Sequence, residues 1–403
     1  MRKNRNVYFP NLNGLRFIAA LAVMIHHVEQ GKGLVGLPSV FLTSPFIHII
    51  GGLGVVLFFV LSGFLISYLL LEEENRTGIG VRHFYARRIL RIWPLYYLII
   101  VLALFILPHV SFFTLPGYGI DVVQKNLLLK TAIYATLFAN FPVVGFVPYA
   151  SQTWSIATEE QFYLLWPVLM KHVRNKAFLM LSVIGLYLAV KLSMSTRHFW
   201  IILGIERWRG SLSGFVNAFQ IDCMGIGGLA AVVLHRRLKL LALLVNRPVF
   251  YVALVTSVTL IGRGFALPLL RDEFYAVLFA LLILNFAAND RIGWSLEFEP
   301  FHYLGKISYG LYMFHPIAIF ATLHLFGPLG WTHNSFVYPT CVLATIGLAA
   351  VSYRFFESPF LRLKDRFANV LSGEGARTTI VEEPRPPALP AEAVESTETI
   401  PGQ

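Results

Sequence analysis

Charge is scarce in this sequence. Only 14% of the residues are Asp, Glu, Lys or Arg, 56% are hydrophobic, and the mean hydropathy is +0.64. A soluble domain carries about 25% charged residues, so a chain of 403 residues with this balance cannot clothe a water-facing surface. Cysteine is scarcer still. Cys223 and Cys341 both lie inside apolar runs, which excludes a disulfide framework or a thiolate metal site and leaves ordinary packing. No H-E-x-x-H, no G-x-S-x-G and no glycine loop followed by Lys-Ser/Thr occurs. Zinc-dependent hydrolysis on a helix, a hydrolase nucleophile elbow and P-loop phosphate binding are therefore excluded, and no metal is expected. The net charge of +11 does not point to nucleic acid, because Lys and Arg gather in short clusters between apolar runs, as in cytoplasmic loops of membrane proteins.

What the sequence has in quantity is apolar runs. A membrane helix needs about 20 mainly apolar residues, and ten candidates fall at 12–28, 48–71, 92–108, 127–142, 177–194, 217–234, 248–262, 274–289, 307–326 and 336–356. An eleventh run at 154–171 carries Glu159, Glu160 and Gln161 near its start and is open to spanning, re-entering or lying at the surface. With both termini cytoplasmic and 154–171 not crossing, the inner loops hold 21 Lys and Arg and the outer loops 8, the bias of the positive-inside rule. The expected fold is an all-α membrane protein, a polytopic bundle of about ten transmembrane helices plus a re-entrant or amphipathic helix. The basic start, Arg2, Lys3 and Arg5, leads into a run without an A-x-A cleavage site, read as a retained first helix. Residues 1–366 form the expected membrane domain, and 367–403, rich in Pro, Glu, Thr and Ala, a disordered cytoplasmic tail. The expected location is multi-pass in a cell membrane, the bacterial inner membrane foremost.

Ionisable groups inside such runs are costly, about 2.5–3.5 kcal/mol each on insertion scales, and mark function by default. Arg16 and His27 are eleven residues apart, nearly on one helix face and about 16 Å apart along the axis. A buried imidazole suits general-base chemistry, but spacing does not separate His27 from His26, and a helix–helix hydrogen bond explains either. Arg88 and Arg91 share a face at i, i+3 and suit a phosphate, or else anchor the helix at the interface beside Trp93 and Tyr96. In Thr153 to Tyr163, Ser155 or Thr158 can cap a helix with a following Glu. Alternatively, one of Glu159 and Glu160 faces a cavity and orients an imidazole. Ser308, Tyr312 and His315 line one face, as a site or as a packing seam. The glycines at Gly51, Gly52, Gly54 and Gly63 read as close helix packing.

Taken together, and in this order, these segments resemble the integral-membrane acyltransferase 3 family. The runs are Asn13-Gly14-Leu15-Arg16 with His27 at plus eleven, Gly54 to Ile66, Arg87 to Arg91, Trp154-Ser155 through Glu159 to Phe162-Tyr163, Ile307 to Tyr312 with His315-Pro316, and Phe356-Glu357-Ser358-Pro359. The likeness covers about 10–366. It implies transfer of an acyl group, often acetyl from acetyl-CoA or another acyl-CoA, to a hydroxyl on a carbohydrate, glycolipid or similar acceptor. It implies His27 as the essential histidine, Glu159 orienting it, and Arg16 assisting at the oxyanion or the donor. It further implies Arg88 and Arg91 on the donor's phosphates, with Trp154, Ser308, Tyr309 and His315 completing the donor site. Direct attack and an acyl-histidine intermediate both fit. Asn13 stands where Asp is frequent and Val56 where many members are polar. The extracytoplasmic esterase-like domain appended in some members is not expected here. Lipid, acyl-CoA and a saccharide acceptor are the expected partners. Without acyl chemistry, the same cavity would serve a glycolipid transporter or a structural or sensory membrane protein; transport needs no such Arg, His and Glu set.

Overall fold

The apolar runs fold as helices, broken where Gly, Pro and polar residues cluster. A computed structural model describes residues 7–141, 145–289, 292–367 and 370. Among these there is no β-strand, and one isolated bridge joins Leu115 and Tyr118. The longer helices are α1 (Leu12–Leu34), α2 (Pro45–Arg76), α3 (Val81–Val101), α4 (Leu127–Ala135), α5 (Thr153–His172) and α6 (Lys176–Ser195). They continue with α7 (Arg209–Phe219), α8 (Ile221–His235), α9 (Arg247–Gly262), α10 (Arg271–Ala288), α11 (Ser308–Phe326) and α12 (Asn334–Ser352). The expected tail at 367–403 lies outside the described residues, Phe367 and Val370 apart, as do Arg2, Lys3 and Arg5.

Six helical stretches among the described residues are long and apolar enough to cross a bilayer: Pro45–Arg76, Val81–His109, Lys176–Ser195, Glu206–His235, Ser308–Phe326 and Asn334–Lys364. That is fewer than the ten runs in the sequence, and the difference has causes. Polar residues dilute α1 (Arg16, His26, His27, Glu29) and α10 (Arg271, Asp272, Glu273), and α9 has only 16 residues. The run at 127–142 is not one helix. α4 has nine residues, a rise of about 14 Å, and Leu137 then takes a left-handed φ of 61°. By contrast, α5 has 20 residues and lies antiparallel along α3: Tyr85 Oη donates to the Leu164 carbonyl at 2.6 Å, and Trp93 Nε1 to Glu160 Oε2 at 2.8 Å.

Small residues set the closest helix contacts, where van der Waals packing rather than hydrophobicity holds helices together. α2 and α8 touch backbone to backbone. A Cβ on Gly63 would fall 1.9 Å from the Met224 carbonyl oxygen, and one on Gly227 2.1 Å from that of Val60. Gly227→Ala is therefore expected to destabilise the protein by about 1–3 kcal/mol through overpacking. Gly185→Ala, with open space around it, should change little. Thermal unfolding of both variants in detergent checks the contrast.

Candidate active site

The site begins at the first turns of α1. The Leu296 N–H donates to Asn11 Oδ1 at 2.6 Å, and Gly305 presses so closely on Asn13 that an added Cβ would lie 1.9 Å from its carbonyl oxygen. Held there, Asn13 Oδ1 accepts from Arg16 Nη1 at 3.1 Å. The residue that departs from the frequent Asp thus still engages Arg16.

Arg16 meets Arg88 and Arg91 of α3 at a cavity of about 750 Å³, measured out to its mouth, with Ser62 of α2, Glu159 and Tyr163 of α5, and Ser308, Tyr309 and Tyr312 of α11. Arg16, Ser62, Arg88 and Arg91 also line a second cavity of about 670 Å³ with Tyr8, Phe9 and Leu65, so they form the wall between the two. The Arg88 guanidinium sits 5.5 Å from each of the Phe84 and Tyr163 rings. Its Nε is buried without a hydrogen-bond partner among the described residues. Leaving such a buried donor unmet costs roughly 1–3 kcal/mol.

Three carboxylates answer the three guanidiniums. Glu159 has Ser62, Arg88 and Arg16 as neighbours, Glu160 accepts from Trp93, and Glu357 accepts from Ser352 Oγ at 3.0 Å and lies beside Arg91. Glu357 arrives on a π-helical turn, Tyr353–Glu357, that continues α12; such bulges are frequent at functional sites. Neither Ser155 nor Thr158 caps α5, which begins at Thr153 without a side-chain cap. Ser155 instead shares a hydrogen bond with Tyr312 at 2.7 Å, and Thr158 Oγ1 donates to the Ala218 carbonyl at 3.0 Å.

The histidines stand at the other end of α1. His26 Nδ1 is 2.7 Å from the Ile47 carbonyl, and the ring lies against Gly51, so His26 joins α1 to the start of α2. His27 faces α11, with its Nδ1 3.1 Å from His315 Nε2 and the two rings 4.9 Å apart. It keeps part of its surface accessible, whereas His315 is fully buried. Tyr312 joins the two ends. It lines the arginine cavity, and its ring is 5.7 Å from that of His315.

Several expectations change here. Glu159 stands with the arginines and not with His27; the antiparallel fit of α5 on α3 sets it at their level, and His315 takes the place beside His27. His315 accordingly meets the base candidate rather than the cavity that Ser308 and Tyr309 line. Trp154 packs edge-on to Phe59, 6.3 Å between ring centres, and is not among the lining residues. Ser62, Tyr163 and Glu357 stand in the family-like runs without a role assigned to them there, and Glu160 enters only as the alternative to Glu159. A carboxylate closing an apolar run, as Glu357 does, was the signal available. Among the described residues no group of three His, Cys, Asp or Glu side chains is placed to hold a metal ion.

Comparison with known proteins identifies the family. The sequence profile of the acyltransferase 3 family, described as an acyltransferase domain, matches residues 9–354. The peptidoglycan O-acetyltransferase OatA of Listeria monocytogenes is 29% identical over 395 residues, 91% of this chain and 57% of the relative. The O-acetyltransferase OatA of Staphylococcus aureus is 26% identical over 420 residues, 93% of this chain and 61% of the relative. The chain thus spans about three fifths of the length of these curated relatives. No solved structure matches it. With a profile match running through all the segments that build the cavity, this chain belongs to the acyltransferase 3 family.

Proposed function

We propose that this chain is a membrane-embedded O-acyltransferase that moves an acyl group, acetyl foremost, from acyl-CoA to a hydroxyl of a saccharide or glycolipid acceptor, a peptidoglycan-type glycan being the nearest model. The observation that carries this reading is the layout of α1. Three arginines, one with an unmet N–H, stand at one end, an accessible histidine stands at the other, and Tyr312 lies between them. The planar forks of Arg88 and Arg91 suit the donor's phosphates, with Arg16 beside them. The donor's long arm then runs along α1 for about 16 Å. At its end His27 takes the proton of the acceptor hydroxyl. The alkoxide oxygen attacks the thioester carbonyl, the C–S bond breaks, and the proton passes to the leaving thiolate. In this reading Glu159 balances the arginines instead of orienting the base.

The same reading puts both termini on the cytoplasmic side, with about ten crossings. α5 replaces 127–142 as the crossing after α3, which leaves every later loop on the side that the Lys and Arg bias requires.

The test is purified protein with radiolabelled acetyl-CoA and soluble glycan acceptors, reading thiol release and label in the glycan. Arg88→Ala is expected to raise KM for acetyl-CoA by roughly 10–100-fold, the loss of a hydrogen bond to a charged group at about 1.5–3 kcal/mol. Thiol release no faster than in protein-free controls, across a panel of acceptors, would sink the proposal.

A further inference from the structure

His315 precedes Pro316 inside α11. A helical residue normally donates its N–H to the carbonyl four positions back, and proline has none to give. Here the carbonyl four back from Pro316 belongs to Tyr312. It does not go unmet, because His315 Nδ1 lies 2.6 Å from it. A carbonyl only accepts, so Nδ1 of His315 carries the hydrogen. In a neutral imidazole the other nitrogen is then an acceptor. That nitrogen, Nε2, faces His27 Nδ1 at 3.1 Å, so His27 Nδ1 is the donor and carries its own hydrogen. By the same rule, His27 Nε2 bears the lone pair. A doubly protonated His315 would reverse the pair. It would donate to His27 Nδ1, leave the hydrogen on Nε2 and remove the base.

We infer that the His315-Pro316 pair is a tautomer-setting device. The proline frees the Tyr312 carbonyl, the carbonyl fixes the proton of His315, and His315 holds His27 with Nδ1 protonated and Nε2 free to accept a proton. His315 is thus a positioning residue, acting through His27 and not on the donor. The inference rests on the reading of His27 as the base, but the hydrogen-bond order is testable apart from it.

The experiment is ¹⁵N NMR of the full chain in detergent, labelled with [¹⁵N]histidine, with the His27 signals assigned by their loss in His27→Ala. The wild-type protein should show His27 protonated at Nδ1 and bare at Nε2. His315→Ala should mix the tautomers and lower kcat roughly 10²-fold, the lower end of a general base's contribution, with KM for acetyl-CoA unchanged. His315→Gln, whose carbonyl can still accept from His27, should recover most of that loss. A His27 protonated at Nε2 in the wild-type protein overturns the inference without any variant having to fold. So does a folded His315→Ala with unchanged kcat beside an inactive His27→Ala. If His27→Ala itself keeps full transfer, the assignment of His27 as the base fails, while the NMR result still decides the tautomer.

Discussion

His27→Ala is expected to lower the rate of acyl transfer by about 10²–10⁴-fold, the contribution of a positioned general base, while leaving acyl-CoA binding close to that of the parent protein. The separation follows from geometry. Arg16, Arg88 and Arg91 share a cavity at the first turns of α1, and His27 lies eleven residues on, about 16 Å away along the axis. Truncating an imidazole there removes neither a guanidinium nor a cavity wall. The measurement is therefore a pair: kcat from thiol release, and donor affinity from direct CoA binding. A fall in kcat with binding retained assigns His27 to the chemistry. Equal loss of both would mean that the helix has shifted, and an unchanged kcat would remove His27 from the reaction. His26→Ala is the internal control. Its Nδ1 is occupied by the Ile47 carbonyl and its ring fills the space over Gly51. It should lower stability more than it lowers kcat.

Glu29→Ala is expected to destabilise the protein by about 3–5 kcal/mol, the range for removing one partner of a buried ion pair. Glu29 and Lys32 are both buried near the end of α1, 2.6 Å apart. The carboxylate serves more than the ammonium. Oε1 also accepts from Tyr338 Oη at 2.7 Å, and Oε2 from the Val40 N–H at 2.6 Å and Ser39 Oγ at 3.0 Å. These four donors match the acceptor capacity of a carboxylate, and they tie α1 to the loop before α2 and to α12. Without the Glu29 side chain, Lys32 retains Asn334 Oδ1 at 2.8 Å but no negative charge, Tyr338 Oη and the Val40 N–H lose their acceptor, and Ser39 Oγ keeps only the residue-29 carbonyl at 2.7 Å. Lys32→Met should be milder, because Glu29 keeps its other three donors and the methionine fills the space with apolar atoms. Thermal unfolding in detergent gives the comparison, and equal losses for the two variants would contradict the four-donor picture. Glu29 lies two residues beyond His27, so the network also fixes the end of α1 that carries the base candidate.

By itself the sequence determined that this is a helical membrane protein, because 14% charge cannot solvate a chain of this length. It determined which polar residues stand out, since each is costly in an apolar run, and the ordered motifs pointed to the family. Hydropathy measures composition, not continuity. It counted 127–142 as a crossing although its helix ends at Ala135, and it left 154–171 undecided although α5 is 20 residues long and lies along α3. Pairings between distant segments were decided only by the tertiary structure. Glu159 and His27 are both unusual in their runs, yet nothing along the chain states that the fit of α5 on α3 sets Glu159 among arginines, or that parallel packing of α1 and α11 brings His315 to His27. Glu357 needed a π-helical turn to reach Arg91. Partner choice depends on helix register and rotation, and those are set by close contacts such as Gly63 on Met224 and Gly227 on Val60. Such contacts join residues more than 160 positions apart, beyond the reach of any local pattern.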